Sequence, residues 1–125
     1  MSNGMIPFMD FKHADFDLTK VNTTVRLGDK WAGLSLGQKL VVGSTKTCKA
    51  YQARVVGIKL LQWHEITDAD LSLEHVEKAR TKAGLKDILQ NCYGFAELDE
   101  TSPWTVVLFS IVPETVDENK EQSTI

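Results

Sequence analysis

Lys20, Thr23, Thr24 and Arg26 fall within one short stretch rich in β-branched residues. A lysine amine in a recess loses its proton when it is desolvated or sits beside another cation, and it then serves as a base or a nucleophile. A threonine hydroxyl relays a proton or holds a substrate oxygen. An arginine offers a planar forked donor to a carbonyl or a phosphate. Side chains alternate along a strand, so Thr24 and Arg26 share a face if this stretch is extended. The same residue types also suit an ordinary solvated strand edge, since charged pairs are common structural features.

Other short patterns do not complete a site. His64-Glu65 opens like a zinc-protease helix, but Asp68 stands where the second histidine is needed. Between Gly33 and Lys39 the glycine and lysine spacing is wrong for a phosphate loop. Asn22-Thr23-Thr24 is a glycosylation sequon, which has meaning only in a secreted chain. His13, His64 and His75 are scattered and read as surface or half-buried histidines. Cys48 and Cys92 are far apart and give neither a disulfide framework nor a metal spacing. No metal and no cofactor is expected.

The elements that must position these residues follow from composition and pattern. The chain has 125 residues, 42% hydrophobic and 25% charged, which is ordinary globular composition and the size of one domain. No apolar run approaches the length of a membrane span, and no basic segment followed by an apolar one opens the chain. A cytoplasmic protein with no membrane partner is expected. The net charge of −3 conceals an asymmetry. Residues 20–59 carry eight basic residues against Asp29 alone, whereas residues 60–125 carry five against 13 acids. Such a basic stretch can form one positive face on an acidic protein, and local field draws in an anionic ligand.

Residues 6–11 are apolar and aromatic and read as a short strand or the start of a helix. Residues 23–27 read as a strand ended by Gly28 and Asp29, and residues 28–38 as a loop. Residues 39–42 form a short strand closed by Gly43-Ser44. Residues 51–63 form a long strand broken at Gly57, where a glycine marks a bulge or a barrel corner. Thr67 and Asp70 make a capping-box pattern, and Leu73, Val76 and Ala79 follow at helical spacing. Gly84 interrupts. Leu85, Ile88, Leu89 and Cys92 form a second amphipathic stripe, stopped at Gly94. Residues 104–112 are apolar on both alternating faces and read as a strand buried on both sides. Residues 1–113 are expected to form a single domain and residues 114–125 an acidic, flexible tail. Strands, then a helical segment, then a last strand give an α+β class, with a small barrel-like sheet closed by that last strand.

At this point the sequence resembles the ASCH family of the PUA-like superfamily. Four segments carry the resemblance in the family's order. Lys20-Val21-Asn22-Thr23-Thr24-Val25-Arg26 is similar to the family's Gly-Lys-Lys-Thr-x-Thr-x-Arg strand. Gly37-Gln38-Lys39-Leu40-Val41-Val42 is similar to its Gly-Asp-x-Leu-x-Val strand. His64-Glu65-Ile66-Thr67-Asp68-Ala69-Asp70 resembles the stretch leading into the family's helix. Tyr93-Gly94 and residues 104–112 resemble the helix end and closing strand. The resemblance covers roughly residues 6–112. It implies a small PUA-like β-barrel with a helical segment beside a cleft, and a role in binding RNA or a modified nucleoside. For one branch it implies hydrolysis of acetylated cytidine by a Lys, a Thr and a Glu.

Carried over by that resemblance, the Lys is Lys20. The Thr is Thr23 by its spacing to Lys20 or Thr24 by its spacing to Arg26. The Glu is Glu74, with Glu77 one helical turn on as the competitor. The chain departs from the pattern at Thr19, where the family has Gly, in its single Lys for a basic pair, and at His75, where the family often has Gly.

The first functional expectation is a nucleic-acid or modified-nucleotide binding module, probing its ligand with Arg26, Trp31 and Glu77. Phosphate attraction combined with base stacking on an aromatic is the usual physics of single-strand recognition. Trp63 and Trp104 lie in apolar β-rich runs and read as core. The alternative is a small amidohydrolase in which Lys20 activates water or attacks directly, Thr23 or Thr24 orients it, Glu74 moves the proton to the leaving amine and Arg26 stabilises the oxyanion. The third expectation is a non-catalytic interaction domain with a solvated acidic helix face formed by Asp68, Asp70, Glu74 and Glu77.

Overall fold

The computed structural model describes residues 6–12, 15–92, 94 and 99–112. Five strands form one mixed sheet: β1 (Phe8–Asp10), β2 (Val21–Leu27), β3 (Lys39–Ser44), β4 (Lys49–Gln62) and β5 (Pro103–Ile111). Their order is β1-β3-β4-β5-β2, with β1 parallel to β3 and every other pair antiparallel. Two α-helices, α1 (Asp68–Leu71) and α2 (Lys82–Cys92), and two 3-10 turns, Trp63–Glu65 and Glu77–Arg80, separate β4 from β5.

The sheet has a core on each face. Met9, Phe11, Phe16, Leu40, Val42, Ala53, Val55, Val107 and Phe109 fill its concave side. Trp63, Ile66, Leu71, Ala79, Leu85, Leu89 and Trp104 form a second cluster between the sheet and the helical segment. This explains why β5 is apolar on both alternating faces: Val107 and Phe109 serve one core and Trp104 the other. The register of β4 slips between Val55 and Gly57. A one-residue slip moves the following side chains to the opposite face. Val55 therefore joins the concave core, while Leu61 and Trp63 join the helical one. Each fully buried Phe, Leu or Met contributes roughly 1.5–3 kcal/mol relative to exposure.

The last strand does not close a barrel. β5 lies inside the sheet, between β4 and β2. The two edges are β1 and β2, and they face each other across a curled half-barrel. The Arg26 side chain on β2 donates to the Asp10 carbonyl on β1 at 2.7 Å, and Asp10 Oδ1 accepts from the Thr45 N–H at 2.9 Å. One side chain thus spans the gap that no strand pairing closes among the described residues.

The capping box at α1 forms as its sequence predicts: Thr67 Oγ1 accepts from the Asp70 N–H, and Asp70 Oδ2 accepts from the Thr67 N–H. Burial pushes the Asp70 carboxyl up, but the Lys59 ammonium 2.7 Å away and the Thr67 donors outweigh it and hold the group below its ordinary value. Beyond α1 the helical spacing misleads. Residues 72 and 73 turn out of α1, and Glu74 meets β2 in a single parallel bridge to Thr23; Leu73 is exposed, whereas Ala79 is buried. Glu74 and Glu77 consequently do not share a helix face.

Gly84 does not interrupt α2 but lies in its first turn, with its N–H donating to Thr81 Oγ1 at 3.1 Å. A Cβ here would stand 1.9 Å from the Lys78 carbonyl oxygen. Alanine normally gains about 1 kcal/mol over glycine inside a helix. Here the overlap reverses the sign, and Gly84→Ala is expected to cost about 1–3 kcal/mol. A urea midpoint equal to or above that of the parent chain would contradict this packing.

The expected tail over residues 114–125 lies outside the described residues, as do Tyr93, His13 and the Cys92 side chain. No helix among the described residues is long and apolar enough to cross a membrane.

Candidate functional site

A cleft of about 740 Å³ opens where the two cores meet along the β2 edge of the sheet. Its volume is in the range of small-ligand sites. Thr24, Val25, Arg26 and Leu27 of β2 line it together with Glu74, His75 and Val76 from the crossing segment. Ala79, Leu85, Ile88, Leu89 and Trp104 supply an apolar side. Lys12, Lys46 and Lys78 stand among the polar residues, with Asp10 near the β1 end. Among the described residues no group of three or more His, Cys, Asp or Glu is placed to hold a metal ion.

The crossing segment is fixed by several bonds at once. Its backbone pairs in parallel with β2: the Thr23 N–H donates to the Leu73 carbonyl at 2.9 Å, and the His75 N–H donates to the Thr23 carbonyl at 3.4 Å. The Glu74 N–H donates to the Leu71 carbonyl, and the Glu74 carbonyl accepts from Arg80 Nε at 2.8 Å. The Glu74 and His75 side chains are only 5% and 7% exposed. His75 Nδ1 lies 2.8 Å from Glu74 Oε1, which also accepts from the Val76 N–H at 3.1 Å. A carboxylate acceptor there places the proton on Nδ1 and leaves Nε2 as the acceptor nitrogen. Phe11 and Phe16 each approach the imidazole at 5.1 Å between centroids. The Arg26 guanidinium lies 4.4 Å over the outer partner of this aromatic group, Phe11.

The structure brings together Thr24, Arg26 and Glu74 of the residues singled out in the sequence. Thr23 is buried and contributes its backbone to the crossing. Lys20 does not line the cleft; it is exposed on the loop before β2. That loop is pinned by the buried Asn22, whose side chain donates to the Asp17 carbonyl and accepts from the Asp17 N–H. The Asp17 carboxyl caps the Thr19 N–H and hydroxyl, and those bonds lower its pKa. Trp31 is half-buried against the concave core, and Glu77 is exposed; neither lines the cleft. Trp63 and Trp104 are core residues, 3% and 2% exposed.

Sequence reasoning missed His75 and Phe16. The first looks like any scattered histidine until Phe11, Phe16 and Glu74 surround it. The only signal for it in the chain is its place directly after Glu74.

No protein-family model matches the chain, and no curated protein matches it. Its structure is similar to the crystal structure of an ASCH domain from Lactobacillus crispatus JV V101, with a TM-score of 0.54 and 12% sequence identity. The likeness covers 72% of this chain and 63% of that one, so this chain spans under two thirds of the matched protein's length. It bears out, at the level of fold, the ASCH resemblance carried by the sequence.

Proposed function

We propose that the cleft receives one nucleotide unit of a single-stranded RNA, or a modified nucleoside, and that the protein is a binding module of the ASCH, PUA-like type. The observation carrying this is the union in one cleft of an apolar side with cations from three separate segments, Lys12, Arg26 and Lys46. A base needs apolar area and a phosphate needs cations, so the two halves of a nucleotide match the two halves of the cleft. Thr24 and Arg26 face the ligand, and the Glu74–His75 pair forms its polar end.

Titration of a labelled single-stranded RNA by fluorescence anisotropy tests the reading. Binding is expected at low salt, about 50 mM, and is expected to weaken steeply as salt rises. Lys46→Ala is expected to lower the slope of log K against log salt by about one, the signature of a single lost phosphate contact. Absence of binding at low salt would overturn the reading.

Hydrolysis of an acylated nucleoside is the second reading, favoured by the buried Glu74–His75 pair beside Thr24 and Arg26. In that case His75 Nε2, held by Glu74, takes the part of the base that Lys20 has in the resemblance. Release of acetate from acetylated cytidine under the same conditions would raise this reading above simple binding.

A further inference from the structure

The cleft runs along a strand edge that is only partly covered. The Thr23 N–H and carbonyl are used by residues 73 and 75, so they point away from β5. The Gly28 N–H donates to the Pro103 carbonyl, on the β5 side. Backbone groups alternate in direction along a strand. Both observations therefore fix the same parity: Thr24 and Arg26 bond to β5, while Val25 and Leu27 turn their N–H and carbonyl groups to the outer edge. The covering segment leaves after His75 and turns into the 3-10 helix Glu77–Arg80. Among the described residues nothing pairs with the outward groups of Val25 and Leu27, and both residues line the cleft.

We propose that the Val25 carbonyl and the Leu27 N–H read the Watson–Crick edge of the bound base. This rests on the nucleotide reading above and adds which face of the ligand is recognised and by what. An uncovered strand edge is a ready template for a ligand with adjacent donor and acceptor. The uncovered length is short, closed at Thr23 by the crossing and ended at Gly28 by a positive φ of 87°. Two residues span roughly 7 Å, which fits the edge of one planar base and is too short for a peptide strand of ordinary length. The neighbouring Leu27, Val76 and Leu89 offer apolar area to the flat ring. Lys46 at the cationic side of the cleft faces the phosphate. A base whose Watson–Crick edge is engaged in this way is unpaired, so the ligand is single-stranded.

The test compares uridine monophosphate with its N3-methyl derivative, alongside the RNA titration, on the full chain. The methyl group blocks the Watson–Crick edge but leaves the ring face and phosphate charge unchanged. Methylation is expected to weaken binding about five- to tenfold, the worth of one or two ordinary hydrogen bonds. Leu27→Pro deletes the outward N–H without touching the β5 ladder, since proline is tolerated where the N–H faces outward. It is expected to weaken uridine monophosphate binding beyond Leu27→Ala, which loses the same side-chain contact with the ring but keeps the N–H. Equal binding of the two monophosphates would overturn the inference while RNA binding itself stands. Failure of RNA and of both monophosphates to bind would overturn the nucleotide reading and this inference with it. If Leu27→Pro does not fold, the methylation comparison still decides.

Discussion

His75→Ala is expected to lower folding stability by about 3–5 kcal/mol, the loss typical of removing one partner of a buried pair. Two costs coincide. The Glu74 carboxylate is left with the Val76 N–H as its remaining side-chain partner at a site 5% exposed. The two phenyl rings that close on the imidazole, Phe11 and Phe16, also lose a packing surface. Glu74→Ala is expected to cost less, because it removes the charge as well as the partner. The double variant is expected to cost clearly less than the sum of the singles, since the pair acts as one unit. Urea denaturation of the four proteins measures this. A loss under about 1 kcal/mol for His75→Ala would mean that the carboxylate is solvated and that the crossing is not the fixed element described.

The same segment shows why part of the site was hidden in the sequence. The elements governed by local pattern were legible. Gly57 marks the β4 slip, Thr67 and Asp70 cap α1, and the doubly apolar run at 104–112 becomes a strand with a core on each face. Residues 72–80 are different. Leu73, Val76 and Ala79 keep a helical period, yet the backbone gains more by pairing with Thr23, some fifty residues earlier. Periodicity has no access to such a long-range partner, so the face shared by Glu74 and Glu77 does not exist. Lys20 shows a second limit. Its chemistry depends on desolvation, and desolvation is decided by the Asp17–Asn22 bonds that hold its loop outward. Thr24 and Arg26 were placed correctly on one face because strand alternation alone determines that.

Arg26→Ala is expected to weaken RNA binding about ten- to hundredfold, as loss of a charge-assisted contact predicts. It is also expected to loosen the β1 edge. The guanidinium serves both ends: it donates to the Asp10 carbonyl, rests on Phe11 and lines the cleft. Arg26→Lys separates charge from geometry. A lysine keeps the positive field but lacks the planar fork that can hold a backbone carbonyl and a ligand oxygen together. The lysine variant is expected to restore the salt dependence of binding while recovering only part of the affinity. Full recovery by lysine would reduce Arg26 to one cation among several around the cleft. Partial recovery would mean that the residue joining the two open edges of the sheet also orients the ligand, so that edge spacing and ligand affinity respond together to one side chain.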